Sequence, residues 1–174
     1  MRSTDYKKYI RNINDFPKKG IVFRDIGPLL ENKTVYKKMF KDLIKIIGEK
    51  KIDKVVGIDA RGFIIASVLA EKLNAGMVML RKKGKLPYKT ESIEYGLEYG
   101  NDILEIQRDS IKKGEKVLVV DDVLATGGTA IASVKLVEKL GAKISGLVFL
   151  ISLNYLNGRK LLEKYKIISL IEYD

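Results

Sequence analysis

Short apolar runs and longer amphipathic stretches alternate along most of this chain. Runs rich in Val, Ile and Leu at Lys54–Asp59, Met77–Arg81, Asp102–Gln107, Val117–Val120, Lys143–Leu153 and Ile167–Glu172 predict strands, the last of them at a sheet edge. Helical spacing fills Arg61–Leu73 and Thr129–Leu140, the second with Gly141 as its C-terminal stop. Strand and helix in turn predict an α/β fold, a central, mainly parallel sheet flanked by helices. Upstream, residues 4–13 read as a helix with Tyr6, Tyr9, Ile10 and Ile13 on one face and Ser3 or Thr4 as cap. Residues 33–50 read as an amphipathic helix capped by Asn32 or Thr34, with Val35, Met39, Phe40, Leu43 and Ile47 inward. Ser110–Gly114 is expected to be a turn and Asn154–Tyr165 a short final helix. Nothing in the pattern marks a linker or boundary, so residues 1–174 are expected to form a single domain.

Two stretches break the rhythm. Residues 14–32 carry two Pro and two Gly, yet Phe16, Ile21, Val22, Phe23, Ile26, Leu29 and Leu30 are apolar. So greasy a loop must cover something: the edge of the core, or a flat aromatic ligand held against Val22 or Phe23. Residues 82–101 are too long for a simple connection, where about two to six residues is usual. They are basic at first and then repeat Glu-Tyr-Gly at Glu94–Gly96 and Glu98–Gly100. Their length and glycines suit a lid; a surface hairpin is the plainer alternative.

The most informative stretch is Val117–Ala130, where a strand, two carboxylates (Asp121, Asp122), the loop Ala125-Thr126-Gly127-Gly128-Thr129 and a helix follow in order. The start of a helix offers unpaired N–H groups and the positive end of its dipole, which suits an anion. Gly127 and Gly128 let backbone approach it, and Thr126 and Thr129 add hydroxyls. The acids cannot bind phosphate, but they suit sugar hydroxyls or a cation. A sugar phosphate satisfies the whole stretch. Neither a Walker loop nor a G-x-G-x-x-G turn is present. Asp59-Ala60-Arg61-Gly62 sets a second polar cluster at the end of another strand, where Arg61 can meet a further anion and Gly62 permits close approach. An arginine at a helix start is disfavoured by the dipole and needs a negative partner, either a ligand or Asp59 or Asp25.

Composition narrows the chemistry. The chain has 174 residues, no Cys and no His, so thiol and imidazole catalysis are excluded and acid–base work falls to Asp, Glu, Tyr or Lys. No apolar run reaches the roughly 18 residues of a membrane span, and the first residues have no signal-peptide core; a cytoplasmic location is expected. The net charge of +11 comes from lysines scattered over the helices rather than from a basic block. It predicts a solvated surface and no nucleic-acid partner.

Val-Val-Asp-Asp-Val-Leu-Ala-Thr-Gly-Gly-Thr resembles the phosphoribosyl-pyrophosphate signature of the type I phosphoribosyltransferase family. Phe16–Leu30 is similar to the base-binding hood of the family's adenine-specific branch. Gly57–Phe63 resembles its pyrophosphate loop, and Arg81–Pro87 with Tyr95–Gly100 its flexible catalytic loop. These motifs, in the family's order, span nearly the whole chain. The resemblance implies transfer of a phosphoribosyl group from 5-phosphoribosyl-1-pyrophosphate to adenine, giving AMP and pyrophosphate, with Mg2+ carried by the pyrophosphate rather than held directly by the protein. It implies that Ala125, Thr126, Gly127, Gly128 and Thr129 cradle the 5-phosphate, and that Asp121 and Asp122 hold the ribose hydroxyls or the metal's water shell. Arg61, Arg81 and Lys85 would bind pyrophosphate, with Arg81 able to reach a neighbouring subunit's site, hence a homodimer. Val22 and Arg24 would meet adenine, and Glu98 and Tyr99 would arrive with the lid, Glu98 managing a proton at N7. The hood would combine residues 14–32 with the C-terminal end, and the lid would span 82–101. The centre of that lid, Tyr88–Glu94, is more charged than the family pattern. Alternatives are a transferase for another purine, or a sensor of the same sugar phosphate that binds DNA, for which no module is expected ahead of Phe16.

Overall fold

A computed structural model describes residues 5–97 and 100–174. The chain divides into two compact units, Met1–Ile46 and Ile47–Asp174.

The first unit begins with a 3-10 turn at Tyr6–Tyr9, followed by an antiparallel pair, β1 (Arg11–Asn14) and β2 (Val22–Asp25). This corrects the helix expected over 4–13. Ile13 lies opposite Phe23 in the ladder, Arg11 pairs with Asp25 across the strands at 3.5 Å, and Phe16 meets Phe23 edge to face with centroids 5.2 Å apart. Cross-strand bonds and side-chain pairs outweigh the weak helical spacing. The proposed caps, Ser3 and Thr4, lie outside the described residues. Asp15, at φ 56°, accepts the Gly20 N–H and closes the hairpin. A short helix α1 (Gly27–Glu31) buries Leu29, and α2 (Lys33–Ile47) follows. Asn32 is the cap of α2, since its side-chain oxygen accepts the N–H groups of Thr34 and Val35, both at 3.1 Å. Tyr6 donates to Asp42 of α2 at 2.5 Å, and Lys38 reaches the same carboxylate at 2.8 Å.

The second unit is a seven-stranded sheet. Its members are β3 (Lys54–Ile58), β4 (Gly76–Lys82), β5 (Thr90–Leu97), β6 (Gly100–Gln107), β7 (Lys116–Leu124), β8 (Lys143–Leu153) and β9 (Ile167–Tyr173), in the order β5-β6-β4-β3-β7-β8-β9. From β4 to β9 all neighbours are parallel, and the hairpin β5–β6 is added antiparallel at one edge. Helix α3 (Gly62–Lys72) links β3 to β4, and α4 (Gly128–Lys139) links β7 to β8. These crossovers run in opposite directions along the sheet, so right-handed connections place the two helices on opposite faces. Val117, Val119, Leu147, Phe149, Val134 and Leu136 are fully or almost fully buried between sheet and α4. The α/β architecture and the edge position of the last strand match the sequence pattern.

Three local expectations need revision. β7 continues past Val120 to Leu124, so Asp121 and Asp122 sit in a strand, with Asp121 in register with Phe149 of β8. Aspartate is a poor strand former, but the parallel ladder with β8 runs past Val120 to Leu124 and carries the acids with it. The helix expected over Asn154–Tyr165 is two 3-10 turns, Asn154–Leu156 and Gly158–Leu162, interrupted at Asn157 with φ 58°. Within the 82–101 stretch, Thr90–Leu97 and the residues from Gly100 onward are hairpin strand, with Tyr95 opposite Asp102.

Candidate active site

The chain leaves β3 for β4 on one side and reaches β7 on the other, so the sheet's switch point lies between β3 and β7. Open α/β sheets bind ligands outside the strand C-termini at such a point. Here that edge carries Asp59 and Arg61 after β3, Arg81 and Lys82 at the end of β4, and Asp121 and Asp122 near the end of β7.

Ion pairs order these groups. Arg61 Nε lies 2.8 Å from Asp122 Oδ2, and the Asp122 side chain is 6% exposed. The anionic partner that the helix start demanded is therefore Asp122, not Asp59 or Asp25. Asp59 instead accepts from Arg81 Nε at 2.8 Å, while Arg81 Nη1 donates to the Lys85 carbonyl at 3.1 Å. Lys82 pairs with Asp102 at 2.8 Å. The hydrogen bond from Lys82 holds the Asp102 carboxyl below its ordinary range, and the same bond raises the Lys82 ammonium. Asp121 keeps part of its side chain at the surface, but the packed strand ends around it strip away most of its solvation. Burial first, and the Asp122 charge second, push its carboxyl well above the ordinary value. Burial also raises Asp122, with the Arg61 charge acting in the opposite direction. The site thus concentrates two acids that resist being ionised together.

The glycine loop follows. Gly127 takes φ 86°, a left-handed conformation that caps α4 without a side chain. Residues 123–130 with Asp121 and Phe149 line a small cavity of ≈ 70 Å³ at the start of α4. The loop is closed from behind by Gly158: a Cβ there would stand 2.1 Å from the Ala125 carbonyl oxygen and 2.8 Å from the Gly127 nitrogen. The hairpin covers the other side, where a Cβ on Gly128 would lie 3.1 Å from the Gly96 carbonyl and the Tyr95 phenol hydrogen-bonds the Thr129 side chain. Gly62 also has a packing role. A Cβ on it would be 2.8 Å from the Val120 carbonyl and 3.0 Å from Asp121 Oδ1, so it lets the start of α3 lie against β7 beside the acids.

Among the sequence-derived candidates, Arg61, Asp121, Asp122, Arg81 and Ala125–Thr129 share this edge of the second unit. The Lys85 side chain is exposed. Val22 and Arg24 lie on β2 of the first unit, where Arg24 Nη1 donates to Asn12 Oδ1 at 2.5 Å. Glu98 and Tyr99 lie outside the described residues. Sequence reasoning missed Gly158, and it gave Lys82 and Tyr95, which fall in the lid motifs, no role of their own. The Asn157-Gly158 pair was a turn signal inside an expected helix. Among the described residues no cluster of three or more acidic groups could hold a metal ion, and no helix is long and apolar enough to cross a membrane.

Residues 27–172 match the phosphoribosyl transferase domain family. The adenine phosphoribosyltransferase of Brachyspira hyodysenteriae is 57% identical over 97% of this chain and 99% of its own length. The crystal structure of the adenine phosphoribosyltransferase of Thermoanaerobacter pseudethanolicus superposes with a TM-score of 0.94 at 48% identity, covering 97% of this chain and 98% of that one. That of Saccharomyces cerevisiae, solved with adenine and an imino-altritol bisphosphate, gives 0.89 at 37% identity, with 95% and 96% covered. With its switch-point acids, its glycine loop and this likeness over nearly its full length, the chain belongs to the adenine phosphoribosyltransferase family.

Proposed function

We propose how this chain performs its family's reaction, in which adenine and 5-phosphoribosyl-1-pyrophosphate give AMP and pyrophosphate in purine salvage. The observation that carries the assignment of roles is the glycine loop at the start of α4, backed by Gly158 and flanked by Asp121 and Asp122. Loop N–H groups of Ala125–Thr129 receive the 5-phosphate. Asp121 and Asp122 face the ribose hydroxyls, and Arg61 steadies Asp122. Adenine N9 attacks the anomeric carbon as the bond to pyrophosphate breaks, so positive charge grows on the sugar and negative charge on the leaving group. Arg61, Arg81 and Lys85, joined by Lys82, stabilise that negative charge as it develops. We assign Val22 and Arg24 to adenine, Glu98 to a proton at N7, and Tyr99 to the closing lid, which excludes water from the activated sugar.

The metal we assign is Mg2+. With Asp122 committed to Arg61 and no group of three acids placed to hold a metal ion among the described residues, the donor set suits an ion that arrives on pyrophosphate with its own waters. When bound, it neutralises part of the pyrophosphate charge. A cytoplasmic homodimer, one domain per chain, completes the reading.

Asp121→Asn tests it with two readouts. The folded chain raises this carboxyl above its ordinary 3.8, so the folded state holds the proton more tightly. The stability linked to it is present below the ordinary value and lost as pH rises through the folded one. At pH 7 the variant is therefore expected to melt higher than the parent, by about 2–4 °C for each kcal/mol recovered, and the gap should close on acidification. The KM for the activated sugar should rise while that for adenine stays. A lower melting temperature would remove the buried-acid conflict, and an unchanged sugar KM would remove Asp121 from the substrate site.

A further inference from the structure

Arg159 directly follows Gly158 and gathers acceptors from three stretches of chain. Its Nε lies 3.1 Å from Ser152 Oγ and 3.2 Å from Asn154 Oδ1, and its Nη2 lies 2.6 Å from Ser169 Oγ and 2.5 Å from Glu172 Oε1. Ser152 lies one residue from the end of β8 at 1% exposure, Asn154 opens the turn beyond it, and Ser169 and Glu172 belong to β9. The acceptors are ordered among themselves: Ser152 donates to Asn154 and Ser169 to Glu172, both at 2.8 Å.

The Arg159 side chain is 36% exposed, so its ion pair with Glu172 adds little stability by itself. Its fork geometry matters more. A planar guanidinium donates in fixed directions to both strand ends at once, which a single ammonium cannot do. The turn is pinned at its other end by Leu162, at 0% exposure. Immediately before the Arg159 anchor stands Gly158, whose backbone meets Ala125, Thr126 and Gly127 more closely than any side chain would allow. One peptide unit therefore separates the Arg159 fork from the back of the glycine loop.

We propose that Arg159 is a positioning residue for the phosphate loop: it locks the Gly158–Leu162 turn to the ends of β8 and β9 and so holds the loop in the shape that receives a phosphate. The inference rests on assigning that loop to the 5-phosphate. The experiment has an arm for each. In the wild-type protein, ribose 5-phosphate should shift the Gly127 and Gly128 amide resonances; absence of a shift overturns the loop assignment and the inference with it. In Arg159→Ala the KM for 5-phosphoribosyl-1-pyrophosphate should rise about 10- to 100-fold, as expected for a slightly misplaced binding group. The adenine KM should stay within about twofold on the same argument. Arg159→Lys should fail to restore the sugar KM. An unchanged sugar KM, an equal rise in both constants, or full rescue by lysine would overturn the role. If Arg159→Ala does not fold, Ser169→Ala, which removes one acceptor, replaces it, with a smaller selective rise expected and no rise counting against the proposal.

Discussion

Gly158→Ala is expected to lower kcat/KM for AMP formation by about 100-fold or more, equivalent to about 2.7 kcal/mol of lost transition-state stabilisation. The atoms in the way are the Ala125 carbonyl at 2.1 Å, the Gly127 nitrogen at 2.8 Å and the Thr126 carbonyl carbon at 2.9 Å, all of them backbone. No rotamer can relieve that collision, so either the turn retreats or the loop deforms. A phosphate site built from N–H groups tolerates little deformation, because each donor must point at the anion. Gly48 provides the control: it has φ 79° but open space around its Cβ position. Gly48→Ala should cost about 1–2 kcal/mol of backbone strain and leave the sugar KM untouched. Steady-state kinetics with thermal melts of both variants check the difference. Full activity in a folded Gly158→Ala protein would mean that the loop is not shaped from behind.

The second large effect is expected at Glu98. With no histidine in the chain, a carboxylate is the natural group to manage a proton on the purine. Positioned acid–base groups contribute about 10²–10⁴-fold. Glu98→Gln keeps the size and loses the charge, so kcat should fall within that range while both KM values change little. Rapid-quench measurement of the chemical step separates this from slow product release. Unchanged turnover would take Glu98 out of the mechanism and leave the lid with water exclusion alone.

Much of the architecture was legible because periodicity and local chemistry agreed. The Val117 run, the glycine loop and Gly141 are local signals, and each marks the element expected of it. Asn32 likewise caps α2 as its side chain suggests. Residues 11–14 were misread because Tyr6, Tyr9, Ile10 and Ile13 satisfy a helical stripe, while the partner strand that claims them lies beyond a hairpin turn. The length of β7 was underestimated because the ladder from β8, not the propensity of Asp121 or Asp122, extends it. At the site, Arg61 visibly needed an anion, but its pairing with Asp122 joins different strand ends and depends on sheet order. Gly158 carried no chemical label, since its importance lies in what a Cβ would strike. Lys82 was hidden in a basic run until Asp102 of β6 came to face it. Such features depend on tertiary closure, which no local pattern encodes.

The central claim is that this site joins a phosphoribosyl group to adenine. The direct measurement supplies purified protein with 5-phosphoribosyl-1-pyrophosphate and Mg2+, offers adenine, hypoxanthine, guanine and xanthine in parallel, and follows nucleotide and pyrophosphate. The account predicts stoichiometric AMP and pyrophosphate from adenine, dependent on the metal and faster than with the other bases by orders of magnitude. Preference for a 6-oxopurine, or binding of the activated sugar without pyrophosphate release, would contradict it.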